Sequence, residues 1–418
     1  MKKRFALLLA TAVVAATACV TALAGSQGQP GVSYHRILIG GTFPLSGPAG
    51  YYAPIPVGMK VYFQYLNSHK GSDGKVGVHG RRVDWVYYDD GYSPPNTVQQ
   101  THRLVEENHV FALFGGLGTE PQQAVEQYLN QMKVPQVFVS TGATEFGTGY
   151  KTDPWTIGWQ PDYVAEGAIY GKYAAANWPT KKIGVIYQND DYGKDYLTGF
   201  RQGLGSKTSN IVTTQPFAVT DASVASQVVQ LRASGAQVVA IFGTPSPTIK
   251  TFATMKALKY KPEETILNSV SATDTIMKLS LANADAATLD GTISTTYLMD
   301  PQAPQYANNK FMKLYKAQMA KYSPQSNANN GLFFYGFAKA WDVARVLSLS
   351  GKHPTRARLM SVVRHMNWTN PGTLKGIKEK TTPGDPFPIS QLRLIRFNAS
   401  TGLWTEFGSL INGRGGTS

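Results

Sequence analysis

Five short loops, each leaving an apolar run, carry most of the residues able to do chemistry in this chain. In residues 42–52, Ser46 and Gly47 precede Tyr51 and Tyr52; glycine lets a ligand approach the main chain, and tyrosine offers a stacking face with a polar tip. Gly115-Gly116-Leu117-Gly118-Thr119 exposes amides to an anion, although Thr119 also suits the cap of a helix entered at Pro121. Ser140-Thr141-Gly142-Ala143-Thr144 sets hydroxyls beside a small-residue backbone, the material of a carboxylate cradle. In Gln188-Asn189-Asp190-Asp191-Tyr192-Gly193 the aromatic Tyr192 can cover a ligand, while Asp190 or Asp191 caps the next helix or meets a cationic group. Gly243-Thr244-Pro245-Ser246-Pro247 is a stiff turn in which Ser246 caps a helix beginning at Pro247. Such groups bind small polar or anionic solutes without transforming them.

Residues for transformation are missing from the usual patterns. There is no Gly-x-Ser-x-Gly elbow and no His-Glu-x-x-His motif, and the seven histidines are dispersed. His102 and His109 read as surface residues on a helical pattern, not as a metal pair. The expectation is therefore no catalytic residue, no metal and no cofactor; an exported hydrolase is the rival from another class.

The loops need a scaffold that brings them together. Apolar runs centred on Leu38, Trp85, Ala112 and Val137 alternate with helical patterns at 55–67, 97–108 and 121–132. A second series places strands at 183–187, 212–217, 238–242 and 265–268, with helical patterns at 163–177, 194–204, 222–234 and 247–258. This alternation predicts an α/β protein with two Rossmann-like lobes on parallel-sheet cores. Ligands of open parallel sheets bind beyond the carboxyl ends of strands, which is where the five loops lie. Further on, long helical patterns occupy 304–321, 331–349 and 355–366. Residues 367–388 read as a surface excursion, and 391–397 with 404–407 as a closing hairpin.

Lys2, Lys3 and Arg4 followed by the apolar residues 5–24 form an export signal, with Ala22-Leu23-Ala24 before Gly25 fitting signal peptidase. A second reading takes Ala16-Thr17-Ala18-Cys19 as a lipobox that would anchor the chain through Cys19. An uncleaved membrane helix is the third reading. Cys19 is the only cysteine, so the mature body has no disulfide and rests on its core. Without the three leader charges, 37 basic and 26 acidic residues leave +11, scattered without an arginine-rich stripe. That argues for solvated surface and against a nucleic-acid partner. Roughly 390 mature residues exceed what one core usually serves, which favours two domains.

Taken in order, Gly41-Thr42-Phe43-Pro44-Leu45-Ser46-Gly47, Tyr88-Asp89-Asp90 with Pro94, Ser140-Thr141-Gly142-Ala143-Thr144 and Asp190-Asp191-Tyr192-Gly193 resemble the branched-chain amino acid (leucine/isoleucine/valine type) receptors of ABC importers. The resemblance covers about residues 37–407 and implies a type I periplasmic binding protein with three crossovers near Trp159, Thr295 and Ile389. Its expected parts are a signal peptide at 1–24, lobe one at 34–159 and 296–388, and lobe two at 160–295 and 389–411. It implies a monomeric receptor, periplasmic or on the cell surface, that serves ABC permease and ATPase subunits; a sensor subunit of the same fold is the alternative. By the same resemblance Gly118, Thr119, Gly142, Ala143 and Thr144 hold the solute's carboxylate and amino groups. Tyr192 covers it from lobe two, and Tyr51 or Tyr52 walls its side chain, beside Ser46.

Two departures bear on the solute. Where the family carries an acid to pair with an ammonium group, this chain reads Asn268-Ser269-Val270-Ser271, so only Asp274 or an upstream carboxylate can substitute. Pro245 and Ser246 replace the family's second lobe-two tyrosine. A buried ammonium without a partner is costly, which favours a carboxylate or amide solute over leucine, with Ser246 and Ser269 as polar contacts.

Overall fold

The structure, a computed structural model, describes residues 28–71 and 73–413. The export signal, its cleavage points and Cys19 lie outside the described residues. No described helix is long and apolar enough to cross a membrane.

The first sheet contains β1 (Arg36–Phe43), β2 (Arg82–Asp89), β3 (Leu113–Phe114), β4 (Gln136–Val139) and β5 (Thr156–Gly158), all parallel in the order β2-β1-β3-β4-β5. Its central strands are buried on both faces, so β1 and β4 read as apolar runs instead of alternating ones. Helices α1 (Pro54–Leu66), α2 (Pro94–His102) and α3 (Thr119–Gln131) connect them. β5 extends the expected four strands to five. Three residues show no periodicity, and pairing with β4 is what makes them a strand. The helix expected at 97–108 starts earlier, at a proline, and ends in a π turn at Arg103–Glu107.

The second sheet takes β6 (Ile183–Gln188), β7 (Ile211–Phe217), β8 (Val238–Phe242), β9 (Glu264–Leu267) and β10 (Ile293–Thr296) in parallel. α4 (Tyr163–Asn177) leads into β6, and between the strands run α5 (Asp191–Leu204), α6 (Ala225–Ala233), α7 (Pro245–Ala257) and α8 (Asp274–Asn283). After α9 (Lys310–Tyr322), α10 (Gly331–Leu349) and α11 (Arg356–Val363), the chain returns as the hairpin β11 (Gln391–Asn398) and β12 (Leu403–Asn412). That hairpin adds antiparallel to β10.

Three expectations are corrected. The helix at 304–321 is a 3-10 turn, Pro304–Tyr306, then α9, because Asn309 caps α9 by accepting from the Phe311 and Met312 amides. Residues 367–388 are no solvated excursion: Asn370, Leu374, Ile377, Glu379 and Phe387 are buried. The helix after β8 begins at Pro245 with Thr244 at its cap position, so Ser246 lies in its first turn and caps nothing.

Helix α10 packs along α1 and joins the first sheet's core, and α4 packs along α5 beside the second sheet. The second contact is backbone against backbone. A Cβ on Gly199 would stand 1.9 Å from the Val164 carbonyl oxygen, and one on Gly203 would stand 2.2 Å from that of Ala168. Alanine is the better helix former by about 1 kcal/mol, but here the clash involves backbone, which cannot rotate away. Gly199→Ala is therefore expected to lose about 1–3 kcal/mol in urea unfolding despite the propensity gain; an unchanged midpoint would show that the helices separate freely.

Candidate functional site

The carboxyl ends of the two sheets face one another across a cleft. On the first sheet's side, β3 runs into Gly118, whose φ of +105° and whose approach to the Tyr92 ring leave no room for a side chain. Gly118 itself holds the cap position of α3, and Thr119 is the first helical residue, not the cap. Thr119 Oγ1 lies 2.7 Å from Thr141 Oγ1. Whichever donates, the other hydroxyl's hydrogen is not used in the pair. Ser140 and Tyr335 continue this wall.

Behind Ser140 and Tyr335 stands Lys339 on α10, 0% exposed. Its Nζ donates to Phe138 O at 3.1 Å, to Tyr335 Oη at 2.9 Å and to Ser140 Oγ. Ser140 spends its own hydrogen on Gly115 O (2.6 Å), and Tyr335 spends its own on Gln160 Oε1 (2.9 Å). Three contacts to acceptors require three N–H groups, which is the ammonium form. Burial pushes the Lys339 pKa well below the ordinary lysine value, and Asp342 opposes that shift. The rings of Tyr335 and Trp159, with centroids 4.5 and 4.8 Å away, add cation–π stabilisation. Asp342 faces elsewhere, accepting from Trp159 Nε1, Trp368 Nε1 and Asn370 Nδ2. A positive charge thus sits directly beneath a wall of neutral hydroxyls.

On the second sheet's side, Asp190 caps α5 as expected, accepting from the Gly193 amide at 3.1 Å. This cap turns Tyr192 into the cleft wall, where its ring packs edge-on to Tyr163 (5.1 Å) and Tyr196 (5.5 Å). Tyr192 is 3% exposed, and its buried hydroxyl has no partner. Ser269 also lines the cleft, but its amide and hydroxyl both donate to Glu166, each at 2.9 Å. Glu166 is the upstream carboxylate that the sequence left open. It is saturated by three further donors, Tyr170, Tyr196 and Thr295, so it has no free acceptor for a solute. Tyr52 Oη donates to Val270 O at 3.4 Å and Gln123 Nε2 to Asp191 Oδ2 at 2.8 Å, so the two walls touch.

Tyr52, Gly118, Thr119, Tyr192 and Ser269 are thus brought into one cleft. Six other candidates stand outside its wall, for local reasons. Ser46 donates to Asp89 Oδ2 at 2.6 Å within its own loop, and Tyr51 is 43% exposed. Gly142 is packed under the Pro161 carbonyl and the Tyr163 ring, and Ala143 follows it into the interior. Thr144 spends its hydroxyl on Asp162 (2.6 Å) and its amide on Asp195 (2.8 Å). Ser246 is carried past the wall by the early start of α7, and Thr244 takes its place. Sequence reading missed Lys339, Tyr335 and Glu166. The available signal was a charge in an apolar helical stripe, as in Phe337-Ala338-Lys339-Ala340-Trp341.

Residues 36–401 match the sequence pattern of a family described as periplasmic binding protein. The chain belongs to this periplasmic binding protein family. Among curated relatives, the leucine-, isoleucine-, valine-, threonine-, and alanine-binding protein of Pseudomonas aeruginosa is 26% identical over 157 residues, 37% of this chain and 39% of that protein. The Leu/Ile/Val-binding protein homolog 3 of Brucella melitensis biotype 1 is 24% identical over 52% of this chain and 57% of that protein. The matches therefore span under two thirds of either relative.

Solved structures of similar fold include a substrate-binding periplasmic protein from Ralstonia solanacearum, with TM-score 0.77, 20% identity and 89% and 100% of the two chains covered. A branched chain amino acid ABC transporter protein from Thermus thermophilus with bound valine gives TM-score 0.78 at 14% identity, covering 91% and 97%. A solute binding protein of ABC transporter from Rhodopseudomonas palustris BisB5, in complex with 3,4-dihydroxy benzoic acid, gives TM-score 0.73 at 16% identity, covering 90% and 98%. These establish the type I periplasmic binding protein fold for this chain.

Truncating Tyr192 to alanine would remove a packed ring as well as a wall residue, at about 3–5 kcal/mol of stability, so Tyr192→Phe is the informative variant in this protein. Losing an unpartnered buried hydroxyl is expected to leave urea stability equal or slightly higher. Affinity for the solute should fall by about three- to tenfold, the value of one neutral hydrogen bond. Unaltered affinity by calorimetric titration would remove the hydroxyl from the site.

Proposed function

We propose that this periplasmic binding protein is the extracytoplasmic receptor of an ABC importer and traps a small carboxylate-bearing solute between two closing lobes. Lobe one comprises residues 34–159 and 296–388, and lobe two comprises 160–295 and 389–411. Strand membership supports this division: β1–β5 form one sheet, and β6–β10 with the late hairpin form the other. The chain crosses between them beside Trp159, after β10 and before β11.

The observation that carries the solute class is the buried Lys339 ammonium behind the Ser140 and Tyr335 hydroxyls. Among the described residues no arginine or lysine enters the cleft wall itself. A carboxylate at Thr119, Thr141 and Ser140 would be held by hydroxyls polarised from behind, where low dielectric strengthens the attraction. Valine and 3,4-dihydroxy benzoic acid, the ligands of two structural relatives, share a carboxylate and little else. The names of the curated relatives likewise point to amino acids. Closure is driven by the solute's greater affinity for the closed arrangement, to which Tyr192 and Tyr52 add contacts. The reading assigns the cleft to binding, not to catalysis, with a permease and an ATPase as partners of a monomeric receptor.

Thermal unfolding against aliphatic and aromatic carboxylates, their matching amides and aliphatic amino acids tests this, because a bound ligand raises stability by mass action. Carboxylates are expected to raise the midpoint more than their amides. Lys339→Met should erase that difference, a loss of about tenfold or more in affinity for the acid. Amides that protect as well as acids, or no protection by any carboxylate, would overturn the assignment.

A further inference from the structure

One turn along α10 from Lys339, the fully buried Asp342 carboxyl faces three N–H donors: Trp159 Nε1 (2.9 Å) and Asn370 Nδ2 (2.7 Å) on Oδ2, and Trp368 Nε1 (2.9 Å) on Oδ1. A second carboxyl, Glu379, is equally buried and lies within hydrogen-bonding reach of Asp342. Trp368 and Glu379 stand opposite each other in a two-residue antiparallel ladder, which brings the 367–388 segment over α10. The Trp368 indole N–H is shared, its second contact being Glu379 Oε2 at 3.1 Å. Glu379 Oε1 meets no donor.

Two neighbouring carboxylates cannot both stay ionised in a dry interior. The donors decide which one keeps the proton. Asp342 has three N–H groups to stabilise a charge, whereas Glu379 has a share of one and an oxygen free to carry hydrogen. Burial and then the Asp342 charge push the Glu379 carboxyl well above its ordinary range. Burial also raises Asp342, and its contacts to Glu379, Trp368, Asn370 and Trp159 pull it back. Lys339, Asp342 and Glu379 then hold one ammonium, one carboxylate and one carboxylic acid, with no net charge. Among the described residues, Tyr62 on α1 and Tyr335 on α10 also face these groups, and burial keeps both phenols neutral.

We infer that Asp342, kept ionised by a proton resident on Glu379, holds the charge on Lys339 and thereby sets the receptor's preference for acids without touching the solute. This rests on the carboxylate-receptor reading and deepens it. Neither carboxyl lines the cleft. The three acceptors around Lys339 Nζ are neutral, so its ammonium needs a counter-charge close by, and Asp342 is the acid that raises its pKa. Trp159 links the two, its ring facing Lys339 at 4.8 Å and its N–H donating to Asp342. The proton on Glu379 keeps the counter-charge single, matched to one ammonium.

The test compares wild type, Glu379→Gln and the double variant Asp342→Asn/Glu379→Gln, each titrated calorimetrically with aliphatic and aromatic carboxylates and their matching amides. In Glu379→Gln an amide N–H replaces the acid O–H toward Asp342, so the ratio of acid to amide affinity should stay within about threefold of wild type. Asp342→Asn alone would let Glu379 ionise in its place, which is why the double variant is needed. Without either carboxyl Lys339 gives up its proton near neutral pH, and the ratio near pH 8 should fall by about tenfold or more, recovering as the pH is lowered. A purely structural role would weaken acid and amide together and leave the ratio and its pH profile unmoved. If the double variant keeps the wild-type ratio near pH 8, or Glu379→Gln loses it, the inference is overturned and the carboxylate receptor stands. Should the double variant fail to melt cooperatively, the wild-type profile serves: a ratio level from about pH 6 to about pH 8.5 supports the held charge, and a fall toward unity across that range overturns it. If wild type shows no preference for acids, the carboxylate reading falls and this inference falls with it.

Discussion

A carboxylate is costly to bury unless donors surround it, and on α4 Glu166 is surrounded. Its Oε1 accepts from Tyr170 (2.6 Å), the Ser269 amide (2.9 Å) and Thr295 (3.1 Å), while Oε2 accepts from Tyr196 and the Ser269 hydroxyl, both at 2.9 Å. Burial raises its pKa and these donors pull it back. Five donors come from α4, α5, β10 and the loop after β9, so one charge ties together the elements flanking two of the crossings. Each donor would be orphaned without the carboxylate, which makes the network expensive to break at any member. The backbone contact of α4 with α5 at Gly199 and Gly203 is what lets Tyr196 reach Glu166 at all.

With that corner fixed, the cleft is built from two electrostatically unlike ends. The first sheet's end has hydroxyls with Lys339 behind them. The second has Asp274, whose carboxyl burial and Asp300 push up and Lys278 pulls back. Putting the positive charge one layer back avoids a flexible lysine in the wall and keeps three fixed acceptors around its ammonium. Under the proposed reading it also lets neutral oxygens make the contact, so that an anion would be favoured without the wall fixing the solute's shape. Lys339 can stay charged in this position because the Trp159 and Tyr335 rings and Asp342 compensate part of the lost hydration.

The layers and most elements were legible in the sequence because parallel strands buried on both faces leave apolar runs, and amphipathic stretches between them leave a helical period. β5 and β10 were not, since Thr156-Ile157-Gly158 and Ile293-Ser294-Thr295-Thr296 form no apolar run and owe their state to pairing with their neighbours. Loop placement was legible as well, and it put Thr119, Tyr192 and Ser269 into one cleft. What failed was side-chain direction: Thr144 and Ser46 have the right chemistry but turn toward Asp162, Asp195 and Asp89. Such choices depend on carboxylates 18 to 51 residues away in sequence. No local pattern encodes them.

The same distinction explains where specificity resides in a fold of this kind. Strand-exit loops place main-chain amides and hydroxyls at a cleft whatever the solute, because the parallel sheet dictates where its loops emerge. Titratable groups at the cleft are supplied instead by helices: Lys339 from α10 beneath one end and Asp274 from α8 at the other. A side chain on a helix can change from lysine to methionine, or from aspartate to leucine, without altering the loops or the Glu166 corner. Relatives at 14–20% identity can therefore share a backbone at TM-scores of 0.73–0.78 and still hold chemically different solutes. Selection between solutes then reduces to which polar groups at the cleft wall lack a protein partner, as the Tyr192 hydroxyl on α5 does.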